Sequence, residues 1–332
     1  MRRLLNVVLV LCLLWCGYWL VASIAIDRGI RAWLDDRRGE GWVADLGDLG
    51  VGGFPSRFVA EAQSLELADP ETGLSWSLPR FEVQALAYQP YHVIARWPDQ
   101  FAVATPFERL TVTSSDLDAS LVVTPSTAAA LERSSFVARA FRVASSAGWS
   151  GGAAEMRLAT RQTEVDNAHE IGIEAKDVRL TEPIRRLLDP LGALPDAVET
   201  LRLNTEIAFD RPWDRFAIER ARPQPTAIDL EDLTALWGDL ELRAAGEFEI
   251  DAAGLATGNV TVKAVNWREM LDIAETSGAL PSPSRPSIER ALEVLAGLSG
   301  RPDTIDAPLT LRGGIVFLGP LPLGALPPIR IR

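Results

Sequence analysis

Between residues 240 and 251 apolar and polar positions alternate: Leu240, Leu242, Ala244, Gly246, Phe248 and Ile250 against Glu241, Arg243, Ala245, Glu247, Glu249 and Asp251. A period of two sends the first set to one side of a strand and the second to the other, so the segment predicts a strand with one apolar and one wet face. The turn Asp251-Ala252-Ala253-Gly254 follows, and Asn259–Val265 reads as the return strand of a hairpin. The same alternation runs through Thr200–Asp210, with Leu201, Leu203, Ile207 and Phe209 on the apolar side, and through Arg80–Ala87 and His169–Lys176. Further strands are predicted near Ser64–Ala68, Phe101–Thr105, Arg109–Thr113, Ser120–Val123, Phe136–Val143, Met156–Thr163 and Asp306–Phe317. One-sided alternation marks antiparallel pairing, because such sheets leave one face to water.

Helical spacing is rarer. It predicts short helices over Tyr91–Trp97, Thr127–Ser134, Pro183–Leu191, Leu230–Leu236, Trp267–Ser277 and Ser287–Leu298. The last is the best formed, with Ile288, Ala291, Leu292, Leu295 and Leu298 on one stripe after a proline-rich linker at Pro281–Pro286. The expected fold is therefore mainly β with short helices (α+β), built on one or more large curved antiparallel sheets. With so few helices, either the sheets cover each other or an apolar face is left as a groove.

The start of the chain has neither period. Leu4–Ile26 is a run of 23 residues without a charge, preceded by Arg2 and Arg3. At ~1.5 Å per residue it matches a hydrocarbon core of ~30 Å, which predicts a transmembrane helix. The run exceeds the core of a cleaved signal peptide and carries bulky Trp15, Tyr18 and Trp19, so an uncleaved anchor is expected. Trp15 before Cys16 also argues against lipidation, which needs a small residue there. Arg2 and Arg3 favour the cytoplasmic side, which makes this a single-pass protein of the inner (cytoplasmic) membrane with its C-terminal domain in the periplasm. The expected layout is an anchor at 1–26, a juxtamembrane helix at 27–39 and a β-rich domain at 40–332, with a sub-domain boundary near 181–198.

Composition narrows the chemistry. Both cysteines, Cys12 and Cys16, lie in the span, so no disulfide and no thiolate metal site is expected beyond it. A net charge of −12 repels phosphate backbones, so no nucleic acid is expected as a partner. The only histidines, His92 and His169, lack metal-ligand spacing, and no phosphate-binding or dinucleotide loop occurs; no metal and no cofactor are expected. Asp229, Glu231 and Asp232 read as a solvated helix start. Gly148-Trp149-Ser150-Gly151-Gly152 matches the nucleophile elbow of serine hydrolases in letters. An elbow needs a helix after the serine, and here more alternating sequence follows, so a glycine-rich hairpin turn is the expectation.

Three segments carry a family resemblance. Gly52-Gly53-Phe54-Pro55-Ser56-Arg57-Phe58 resembles the Gly-x-Phe-Pro-x-Arg-Phe signature of the alphaproteobacterial envelope family catalogued as domain of unknown function 2125. Ala85–Ile94, around Tyr88-Gln89-Pro90, and Leu309–Leu326, with Gly319-Pro320-Leu321-Pro322-Leu323-Gly324, are similar to it as well. The resemblance covers almost the whole chain and brings no catalytic residues. More loosely, the architecture is similar to AsmA-like envelope proteins, which implies an anchor holding a curved sheet with an apolar inner face. Physically, the glycines permit a bend, Pro55 fixes it, Phe54 and Phe58 are candidates for burial, and Arg57 for an ion pair or a lipid headgroup.

A membrane-anchored periplasmic protein would hold an apolar ligand, such as a lipid or acyl chain, or otherwise assist envelope lipid homeostasis, with no bond chemistry. The candidate contact residues are Leu201, Leu203, Ile207, Phe209, Leu240, Leu242, Phe248 and Ile250. A scaffolding protein with a closed core, docking envelope partners through its charged face, is the alternative; a serine hydrolase is a remote third.

Overall fold

The computed structural model describes residues 1–190, 192–219, 222–278, 280 and 282–331. Predicted features at 191, 281 and the side chain of 298 lie outside the described residues. The chain divides into two compact units, the first comprising 1–122 and 142–148, the second 123–141 and 149–332. Seventeen strands occur among the described residues, and every pairing between them is antiparallel.

In the first unit the apolar run and the expected juxtamembrane helix form one continuous helix, α1 (Arg2–Gly39), long and apolar enough to cross a membrane. Gly41, at φ 91°, turns the chain back into β1 (Val43–Gly52), followed by β2 (Arg57–Asp69), β3 (Leu74–Leu86), β4 (Gln89–Arg96), β5 (Gln100–Ala104), β6 (Arg109–Thr113) and β7 (Asp116–Val123). β1, β2 and β3 form a meander; β3 then pairs with β4 near its end and with β5 near its start. β4 pairs with β7, β5 with β6, and β6 with residues 142–145 of β8 (Leu131–Ser145). The predicted helix at 91–97 is thus the strand β4. Its residues Tyr91 to Ala95 are all half-buried, so neither face is wet and no alternation marks it.

The second unit continues with β9 (Ser150–Gln162), β10 (Ala168–Val178), α2 (Glu182–Leu188), β11 (Val198–Phe209), α3 (Phe216–Glu219), β12 (Pro225–Trp237), β13 (Leu240–Ile250) and β14 (Ala256–Val265). After α4 (Trp267–Thr276), a 3-10 turn (Ser282–Ser284) and α5 (Arg285–Ser299) come β15 (Thr304–Arg312), β16 (Ile315–Leu318) and β17 (Leu321–Ala325). From β9 to β17 each strand pairs with the next in sequence, and α4 and α5 are inserted between β14 and its neighbour β15. Trp267 and Leu271 of α4 and Ile288, Leu292 and Ala296 of α5 close over Ala264, Ile305, Ala307 and Leu318 of the sheet. Pro286 in the first turn of α5 and Gly300 at φ 72° after its last fix where that helix starts and stops.

The segment 230–236 is strand, not helix. β12 shifts register between Leu230 and Leu233, so apolar Leu230, Leu233 and Leu236 fall three apart and imitate a helical stripe. Asp229, Glu231 and Asp232 accordingly lie on β12 instead of opening a helix; Asp229 and Glu231 are exposed. Residues 127–130 likewise form a turn leading into β8.

Candidate functional site

Directly paired residues of an antiparallel sheet project to the same side, so the pairing register defines the apolar face of the second unit. One row across it reads Leu158, Ile173, Leu203, Leu233, Ala244, Val262 and Ala307 on β9 to β15. A second, towards the distal end of β13, reads Ile207, Ile228, Phe248, Gly258 and Leu311. A third, at the other end, reads Met156, Ala175, Leu201, Ala235, Leu242, Ala264 and Ile305. All eight sequence-predicted contact residues therefore share one side of β11 and β13. β12, standing between those strands, contributes Ile228, Leu230, Leu233 and Ala235, which the sequence reading missed because it made that segment helical.

Burial along this face is uneven. At one end Leu240 is 5% exposed, and Leu242 packs against the core beneath α4 and α5. At the other, Phe209 and Ile250 are each 7% exposed. There Phe209 meets Trp213 edge-on with ring centroids 5.6 Å apart. The C-terminal segment is bound near the same end, where Ile329 N–H donates to Gly254 O at 2.8 Å and Gln224 Nε2 to Ile331 O at 2.9 Å. Between the closed ends Leu158, Leu203, Leu233, Ala244, Phe248 and Val262 stay half-buried and Ile173 is 37% exposed. At ~4.8 Å per strand the row from β9 to β14 extends ~24 Å. It is a half-open apolar strip with closed ends.

The polar groups on this face are few. Thr205, paired with Leu230, is buried and donates its hydroxyl to Asp229 O at 2.7 Å, occupying a carbonyl at the irregular part of β12. His169, paired with Ile207, is 4% exposed; its ring lies edge-on to Phe209 at 6.2 Å, and its Nδ1 has no hydrogen-bond partner among the described residues. Burial pushes the imidazole pKa below its ordinary value. The folded state thus favours the neutral ring, while the unfolded chain takes up a proton near pH ~6.5. Stability is full above that pH and declines as pH falls through it. Thermal unfolding of the wild type should occur at a lower temperature at about pH 5.5 than at about pH 7.5, and His169→Phe should shrink the difference. Glu155 beside Arg157 and Glu275 beside Arg285 are held below the usual carboxylate range, so they titrate at lower pH and do not mask the effect. An equal pH response in both proteins would contradict this account of His169.

The opposite face is charged. Arg157 pairs with Glu155 at 2.6 Å, Lys176 reaches Glu155 at 3.9 Å and Glu174 at 3.5 Å, and Arg202 reaches Glu174 at 3.4 Å. Elsewhere, Ser150 opens β9 directly after the turn at Gly148, so the hydrolase-like motif has a strand after its serine. His92 bonds Ser120 Oγ at 2.9 Å. Among the described residues no three His, Cys, Asp or Glu side chains come together as a metal site.

No curated protein and no solved structure matches the chain. The family profile that does match runs over residues 19–327, taking in the end of α1, the Gly52–Phe58 turn and the whole of the half-open strip. By that match the chain belongs to the family described as an uncharacterized protein conserved in bacteria, DUF2125.

Proposed function

We propose that this is a single-pass protein of the bacterial inner membrane whose second unit, in the periplasm, holds an apolar chain such as a lipid acyl tail, without making or breaking bonds. The observation that carries the reading is the row Leu158, Ile173, Leu203, Leu233, Ala244 and Val262: apolar, continuous over six strands, and left accessible although both ends of the same face are closed. Water contact with such a strip is unfavourable by ~25 cal/mol per Å², which an acyl chain lying along it would relieve. The anchor supports the reading by tethering this unit to a lipid source, and Arg2 and Arg3 favour the orientation with the bulk of the chain outside the cytoplasm.

A photoreactive fatty acid, crosslinked to the full chain in membranes, tests this. Labelled peptides should map to β9–β14, and Ala244→Trp, which fills the middle of the strip with apolar volume, should reduce labelling there severalfold. Labelling confined to α1, or unchanged by Ala244→Trp, would contradict the proposal. The ladder of ion pairs on the opposite face favours one second reading, a scaffold that docks partners through charge; it predicts labelling confined to α1.

A further inference from the structure

The first unit contains a contact that its strand pattern alone does not explain. β1 rises ~3.3 Å per residue, so its ten residues retrace ~33 Å, or ~22 residues of helix. That brings the β1–β2 turn beside the middle of the uncharged run of α1. The contacts agree: Trp15 Nε1 donates to Pro55 O at 3.0 Å, Tyr18 Oη to Ala87 O at 2.8 Å, and Trp19 Nε1 to Arg57 O at 2.9 Å. Trp19 stacks on Phe58 at 5.7 Å and meets Phe54 edge-on at 5.4 Å, while Tyr18 meets Phe58 at 6.3 Å. Phe58 is buried, but Phe54 remains 52% exposed and Tyr88, in the β3–β4 turn, 66%.

A second observation is independent of these contacts. One register row across the sheet reads Glu61, Glu82, Arg96 and Asp118 on β2, β3, β4 and β7. With Arg80 it forms a belt of ion pairs: Arg80 to Glu61 at 3.0 Å and to Glu82 at 3.2 Å, Arg96 to Glu82 at 4.0 Å and to Asp118 at 3.4 Å. Beyond the belt, towards the turns, charge nearly vanishes. Leu49–Ala60 carries Arg57 alone, and Val83–Ala95 and Ala119–Val123 carry no Asp, Glu, Lys or Arg. From Ala87, bonded to Tyr18, back to Glu82 is ~16 Å of strand, equivalent to ~11 residues of helix. The belt therefore lies level with Asp27 and Arg28, the first charges after the uncharged run of α1.

We propose that the charge-free ends of the β1–β2 and β3–β4 hairpins are inserted in the outer leaflet of the phospholipid bilayer that α1 spans. The inference rests on α1 being the anchor. Backbone carbonyls are costly in hydrocarbon unless bonded, and the indole N–H groups and the phenol of α1 supply donors to three of them at the turns. Phe54 and Tyr88 present apolar surface to the lipid acyl chains. Arg57 has no carboxylate within ion-pair distance among the described residues, and its long stem can carry the guanidinium from the turn towards the phosphates. The belt from Glu61 to Asp118 marks the water boundary.

Depth-dependent quenching tests this on the full chain in phosphatidylcholine–phosphatidylglycerol vesicles. After replacing Cys12 and Cys16 by alanine, a bimane label is placed by V8C, F54C, Y88C or F107C. Val8 is within the span, and Phe107, 94% exposed, is in the β5–β6 turn at the far end of the strands. Nitroxide-bearing lipids should quench the labels at 8, 54 and 88 and leave that at 107 bright, with 54 and 88 most sensitive to a nitroxide deep in the acyl chains. Labels at 54 and 88 as bright as at 107, with that at 8 quenched, would overturn the insertion alone. All four bright would overturn it together with the spanning role of α1.

Discussion

Replacing Trp267 by alanine is expected to destabilise the second unit by about 3–5 kcal/mol, the range for deleting a buried large aromatic. Trp267 is 1% exposed and stands where α4 leaves β14, packed within the cluster that joins Leu271, Ile288 and Leu292 to Ile305 and Ala307. Its indole Nε1 donates to Pro302 O at 3.1 Å, and the Arg268 guanidinium lies over the ring at 4.3 Å. Alanine would leave a cavity that the surrounding helices and strands fill only in part. Pro302 O would keep Arg268 Nη1, at 3.0 Å, as a donor, so the loss is mostly packing. Urea unfolding of the detergent-solubilised chain, followed by circular dichroism, should show the midpoint falling, with Trp267→Phe intermediate. A loss below about 1 kcal/mol would mean that α4 and α5 are not seated on the sheet as described.

A second large effect comes from a single methyl group. Gly246 lies on the apolar face of β13, and a Cβ there would stand 2.2 Å from Asn259 O and 2.6 Å from Val260 Cα. Both are main-chain atoms of β14, so relief requires the two strands to separate there. Gly246→Ala should cost about 3 kcal/mol, the upper part of the range for overpacking. Gly258, paired with Phe248, is constrained in the same way from the opposite strand, with a Cβ 2.2 Å from Glu247 O. Gly324→Ala, with nothing within 4 Å of the added carbon, is the control and should change stability by less than about 0.5 kcal/mol. Equal midpoints for the 246 and 324 variants would contradict the close approach of β13 and β14.

The alternation at 240–250 and 200–210 was legible because those strands are regular, have one wet face, and keep apolar Leu203 and Ala244 opposite charged Arg202 and Arg243. Where the ladder slips, legibility failed: the irregularity between Leu230 and Leu233 converts a two-residue period into an apparent three, hiding β12 and the central residues of the strip. β4 escaped for another reason, since half-burial on both sides leaves no polar rhythm. The candidate residues were individually visible, but their rows depend on register, which pairs Leu203 with Leu233 and Leu233 with Ala244 across sequence gaps that no local pattern measures. The Gly52–Phe58 turn showed its glycines and proline. Its contact with Trp15, Tyr18 and Trp19 follows only from matching the lengths of β1 and α1.

The central claim is that the half-open strip of the second unit carries an apolar chain. Native mass spectrometry of the full chain, extracted from membranes in mild detergent, with organic extraction of whatever it retains, tests it most directly. The wild type should carry an acyl-containing lipid at a fixed ratio, and Ala244→Trp should lose it while keeping the same β content by circular dichroism. A wild type that carries no lipid, or one retained equally by Ala244→Trp, would contradict the claim.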